Sequence, residues 1–228
     1  MSGMYLMMIL IMGVSWYVSF TMQRRFKQYS QLPIRLTGKE VAEKMLRDNR
    51  IYDVQVVSVP GALTDHYDPF KKTVNLSDWV YAQSTVAAAA VAAHECGHAV
   101  QHADAYAWLN LRSRLVPIVQ LSSSMVQWVI LGGFIVLMIT SSPWILLIGI
   151  ILFAMTTLFS FITLPVEFDA SARALKWLDT TSILQADEHE KATNALKWAA
   201  STYVVAALGS LVTLLYYISI FTGARRRD

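Results

Sequence analysis

The sequence predicts a mainly α-helical membrane protein: about four transmembrane helices with one small α+β region inserted among them. Three observations predict this. Apolar residues make up 55% of the 228 positions and charged residues only 15%, against about 25% charged in an ordinary soluble domain. Four uncharged stretches are long enough to cross a bilayer, which takes about 20 apolar residues. The polar residues gather instead between the first and second stretches, where Gln23 to Leu115 holds 12 Lys/Arg and 9 Asp/Glu.

The first stretch, Met4 to Met22, has no basic residue before it and Arg24, Arg25 and Lys27 directly after it. A cleaved signal peptide has the reverse arrangement, so residues 1–22 are expected to be an uncleaved anchor with its C-terminal side in the cytoplasm. Residues 23–115 form the polar insertion. Within it Thr37 and Glu40 make a capping box for a short helix to Asp48. Tyr52 to Val59 has strand character and ends at the turn signal Pro60-Gly61. Asp65 to Asp68, with Pro69, reads as a loop. Lys72 to Leu76 reads as a second short strand, with Ser77 or Asp78 as the cap of the next helix. From Ser84 to Asp104 the chain is rich in alanine, the best helix former, so a helix is expected there.

Val116 to Thr140 and Pro143 to Pro165, joined by Ser141-Ser142, are expected to form a transmembrane hairpin (116–165). Residues 166–201 read as a partly amphipathic helical segment, with Pro165 at its start. The fourth span and a basic tail, Arg225-Arg226-Arg227, complete the chain (202–228). Three basic residues beyond a fourth span run against a cytoplasmic placement of 23–115. Either the last apolar stretch does not cross fully or the rule fails once here; the cytoplasmic placement is the one expected.

The net charge is +3 and the basic residues form no stripe, which argues against a nucleic-acid partner. Cys96 is the only cysteine. No intramolecular disulfide is possible, and a multi-cysteine zinc site is excluded.

The chemistry centres on His94-Glu95-Cys96-Gly97-His98. Two histidines four apart on a helix project from one face, so both imidazoles can meet one metal ion. Glu95 stands beside them as the general base for a water whose pKa a zinc ion lowers toward about 7. This is the HExxH pattern, and it makes the α+β region zincin-like. A catalytic zinc needs a third protein ligand and one open position. His102 is one candidate, but a straight helix carries it about 6 Å past His98. Asp104 is another, ten residues after His94, although Gln101 stands where such sites need a glycine turn. Glu167 is the favoured third ligand, because an acidic residue at a membrane edge is costly unless it is used. Asp169 is a possible partner for a ligand histidine, and Arg173 is spaced to pair with Asp169.

Three segments in this order carry a family resemblance: Leu63-Thr64-Asp65-His66-Tyr67-Asp68-Pro69, the HECGHAVQ run from His94 to Gln101, and LPVEFDASARA from Leu164 to Ala174. Together they make the chain similar to the YugP-like neutral zinc metallopeptidases of bacteria over nearly its whole length. It is more distantly similar to HtpX-like membrane proteases. The resemblance implies a gluzincin-like zinc metalloendopeptidase with one catalytic zinc on His94, His98 and Glu167, and with Glu95 as base. It also implies a substrate-aligning edge strand before the zinc helix, with His66 near the cleft as an oxyanion stabiliser. Relatives of the HtpX type often carry an aspartate four residues after the ligand glutamate, where this chain has Ser171. Asp169 is the residue available to substitute for it.

The expected protein is thus a multi-pass plasma-membrane zinc peptidase with a cytoplasmic active site. Its expected partners are the lipid bilayer and a protein or peptide substrate. The alternative is a non-catalytic zinc-binding scaffold, against which an intact Glu95 argues. Oligomeric state is not legible.

Overall fold

The computed structural model describes residues 2–225; the basic tail beyond Arg225 lies outside them. Seven helices and three strands follow in the order α1 (Ser2–Tyr29), α2 (Gly38–Asp48), β1 (Gln55–Val59), β2 (His66–Asp68), β3 (Thr73–Ser77), α3 (Asp78–Ala82), α4 (Val86–Ala103), α5 (Ala107–Thr140), α6 (Trp144–Thr180) and α7 (Ala186–Arg225). Four of them, α1, α5, α6 and α7, are long and apolar enough to cross a membrane. This is a multi-pass membrane protein of mainly helical class with a small mixed sheet.

The chain divides into two compact units. One comprises Leu111–Leu164 with the chain up to Tyr17 and from Tyr203 onward. Its core is the α5–α6 hairpin around Ile130, Leu146 and Ile150, against which Leu214, Tyr217 and Phe221 pack. Its outer surface is apolar: Leu6, Trp128, Met138 and Ile139 are each more than 65% exposed. Such a surface suits contact with lipid.

The other unit comprises Val18–Asn110 and Pro165–Thr202, and it holds the chemistry. Its core is built on α4. Ala88, Ala89, Ala90, Ala92 and Ala93 are fully buried, and they pack with Val41, Met45, Val74, Leu76 and Leu178. Small side chains let neighbouring elements approach this helix closely, which is what the alanine run accomplishes. Thr85 caps α4, its hydroxyl accepting from the Ala88 amide, and Asp104 closes the other end. Thr37 and Glu40 form the capping box of α2 as expected. Ser77 caps α3.

The sheet order is β1-β3-β2, with β1 parallel and β2 antiparallel to β3. Two expectations are corrected here. His66 to Asp68, read as a loop, is an edge strand in register with Thr73 to Asn75. Three residues carry too little periodicity to announce a strand; pairing with β3 creates it. Pro165 does not start a helix but lies inside α6, which runs unbroken to Thr180. A proline removes one N–H from the ladder, whereas ending a helix at a membrane edge exposes several peptide groups. The polar stretch after it is therefore the continuation of α6, the turn at 181–185 and the start of α7.

Candidate metal centre

Helix α4 places His94 and His98 one turn apart on one face, with ring centroids 4.9 Å apart. Helix α6 brings Glu167 to them. His94 Nε2 lies 3.3 Å and His98 Nε2 3.6 Å from the same oxygen, Oε2 of Glu167. That oxygen is buried yet makes no hydrogen bond. Two donors about 2.1 Å from one tetrahedral ion stand about 3.4 Å apart, so three donors at this spacing suit a metal ion better than each other. Among the described residues these are the three His, Cys, Asp or Glu side chains that converge in this way. The residues fit zinc: two imidazoles and a carboxylate are the donor types it takes.

The close approach of the two helices depends on Gly97. A Cβ built there would lie 2.5 Å from the carbonyl oxygen of Ala170 and 3.1 Å from its C and Cα atoms. Only glycine lets α4 rest on the α6 backbone between Glu167 and Ser171.

Each imidazole is held from behind. His94 Nδ1 lies 3.1 Å from the Ser171 hydroxyl. His98 Nδ1 lies 3.0 Å from Oε1 of Gln101, a fully buried residue. Gln101 Nε2 in turn donates to the Val166 carbonyl and to Asp169 Oδ2, both at 2.8 Å. Arg173 completes the chain: its Nε donates to Asp169 at 2.6 Å, its Nη1 reaches Asp104, and its guanidinium lies over the Tyr106 ring.

Burial works against a charged imidazole at His98. The Glu167 carboxylate beside it, with the charge of Glu95, nonetheless holds its pKa above the usual histidine value. Glu95 is itself buried, only 9% exposed. Cys96 is fully buried; burial pushes its thiol well up, and Sγ donates to the Ala42 carbonyl. It packs and does not ligate.

The structure thus brings together His94, His98 and Glu167. Neither alternative third ligand reaches them. His102 Nδ1 is 2.8 Å from the Tyr67 hydroxyl, and Asp104 caps α4 and pairs with Arg173. Burial, then the charges of Asp53 and Asp68, push the Tyr67 phenol up to about 12, so it stays protonated beside His102. His66 lies on β2, exposed and outside the cluster, its Nδ1–H donating to the Thr64 carbonyl at 2.7 Å. With that hydrogen so used, the neutral ring offers only an acceptor at Nε2. Asp169 meets neither imidazole directly; it acts through Gln101.

Two residues were named in the sequence reading without a role at the site. Gln101 follows His98 by three, and Ser171 follows Glu167 by four. Both spacings put a residue on the same helix face as the ligand, and that spacing is the signal that could have found them.

A membrane protein with four long apolar helices, two histidines of an HExxH helix and a glutamate from a second helix around one metal position is a membrane zinc metallopeptidase. The chain belongs to the family described as "Putative neutral zinc metallopeptidase", which it matches over residues 4–222. It is 40% identical over 219 residues to the "Putative membrane protease YugP" of Bacillus subtilis (strain 168), an alignment covering 95% of this chain and 96% of the relative. No solved structure matches the chain.

Proposed function

We propose that His94, His98 and Glu167 hold a single catalytic zinc and that Glu95 is the general base in the hydrolysis of peptide bonds. The convergence of two Nε2 atoms on one unbonded, buried carboxylate oxygen supports this most strongly. Zinc bound there would supply Lewis acidity, activating a water and polarising the peptide carbonyl. Glu95, as general base, would take a proton from the attacking water as the water oxygen bonds to the carbonyl carbon. It delivers the proton to the amide nitrogen as the C–N bond breaks. Gln101 and Ser171 keep the imidazoles in place.

An extended substrate would align on β2, an edge strand tied to α4 through the Tyr67–His102 hydrogen bond. Proteins or peptides at the membrane are the substrates this placement favours. The active site lies on the cytoplasmic side in this reading. Arg24, Arg25 and Lys27 after the first span, and Arg112 and Arg114 before the second, flank the catalytic residues, while the Ser141–Pro143 link between α5 and α6 carries no charge.

The test is hydrolysis of a quenched-fluorescent peptide by the detergent-purified protein before and after chelation. Chelation is expected to abolish cleavage, and one equivalent of zinc to restore it. Cleavage that persists after the metal is stripped would contradict the proposal.

A further inference from the structure

We infer that Gln101 is the residue that commits His98 to ligation through Nε2, by holding the imidazole in the tautomer with its hydrogen on Nδ1. The inference rests on reading His94, His98 and Glu167 as the metal centre, and it adds the device that sets one of its ligands.

The assignment follows from the partners. The Gln101 side-chain nitrogen lies 2.8 Å from the Val166 carbonyl oxygen and 2.8 Å from Asp169 Oδ2. A carbonyl cannot donate, and Asp169 Oδ2 already accepts from Arg173 Nε at 2.6 Å. Both hydrogens of the amide are therefore spent on α6. The amide oxygen must then face His98 Nδ1, 3.0 Å away, and an amide oxygen only accepts. His98 Nδ1 must carry a hydrogen, so in the neutral ring that a metal ion requires the lone pair is on Nε2, on the side of Glu167. Flipping the amide would set oxygen against oxygen twice and forfeit both anchors. Gln101 is fully buried, so water cannot compensate for such a loss.

The second imidazole lacks such a lock. His94 Nδ1 meets the Ser171 hydroxyl, which can donate or accept and so fits either tautomer. Gln101 also belongs to both helices of the site: it stands on α4 and is anchored on α6, at Val166 and Asp169 on either side of Glu167. The same side chain that orients His98 fixes where the carboxylate ligand sits. It is a positioning residue and touches no substrate.

The experiment uses zinc-loaded full-length protein in detergent, in a Glu95→Gln background so that it does not digest itself, with ¹⁵N-labelled histidine. In this protein His98 is expected to show a slowly exchanging Nδ1–H and a metal-shifted Nε2. Gln101→Met fills nearly the same volume without donors or acceptors. It is expected to lose the protected Nδ1–H and to bind zinc about 10–100-fold more weakly in chelator competition. An unchanged zinc affinity and an unchanged Nδ1–H in Gln101→Met would overturn the inference and reduce Gln101 to packing. Should that variant not fold, the parent protein still decides: His98 ligating through Nδ1 with its hydrogen on Nε2 overturns the inference. Absence of any bound zinc in the parent would instead bring down the metal-centre reading itself.

Discussion

Glu95→Gln is expected to lower peptide hydrolysis by about 10²–10⁴-fold, the range that a positioned general acid–base group contributes, while the bound zinc stays. The substitution keeps size and shape and removes only the ability to take and return a proton. Glu95 lies beside His94 in sequence and is buried, and glutamine fills the same space. The fold should therefore be retained, and zinc content should match the wild type. Steady-state cleavage of a quenched-fluorescent peptide at matched zinc content checks it. Equal activity in the two proteins would mean that another group moves the proton.

Gly97→Ala is expected to have the second largest effect, and for a steric reason. The new methyl would meet the Ala170 carbonyl oxygen at 2.5 Å and two further backbone atoms at 3.1 Å. No flexible side chain is present to yield, so the helices must part. Ordinary contact at 3.4 Å requires a shift of roughly 0.9 Å, in an interior packed as densely as a crystal. Forcing a methyl into such a site costs about 1–3 kcal/mol. The larger consequence is functional, since a displacement near 1 Å in a catalytic arrangement costs roughly 100-fold. The expected outcome is a lowered thermal midpoint and a loss of activity and zinc affinity of about that size. Ala170→Gly should not restore them, because the clash is with the main chain. Rescue by that second change would show that the helices meet differently.

Much of this was legible in the sequence because it is local. The four spans follow from uninterrupted apolar runs. Helix α4 follows from its run of alanine. The His94–His98 pair follows from helical spacing alone, and Glu95 with it. Glu167 was legible only as a choice among three residues, since nothing in the sequence states which distant segment approaches the zinc helix. Strand β2 was not legible, because three residues become a strand only by pairing with β3. The continuity of α6 through Pro165 was hidden for the opposite reason: a strong local signal is overridden by the cost of leaving peptide groups unpaired. Gln101 reads in sequence as one polar residue among many. Its meaning lies in three partners, two of them more than 60 residues away on α6. At Ser171, where HtpX-like relatives often carry an aspartate, the hydroxyl lies beside His94 Nδ1, and Asp169 meets Gln101 rather than an imidazole.

The central claim is that two helices jointly hold one metal ion through His94, His98 and Glu167. It is tested most directly by the zinc content of Glu167→Ala, set against the wild type after dialysis and measured by elemental analysis on folded, detergent-purified protein. The expected result is one zinc per wild-type chain and none retained by Glu167→Ala, since two imidazoles on one helix cannot hold the ion alone. One tightly held zinc in Glu167→Ala would contradict the account and transfer the third-ligand role to another residue.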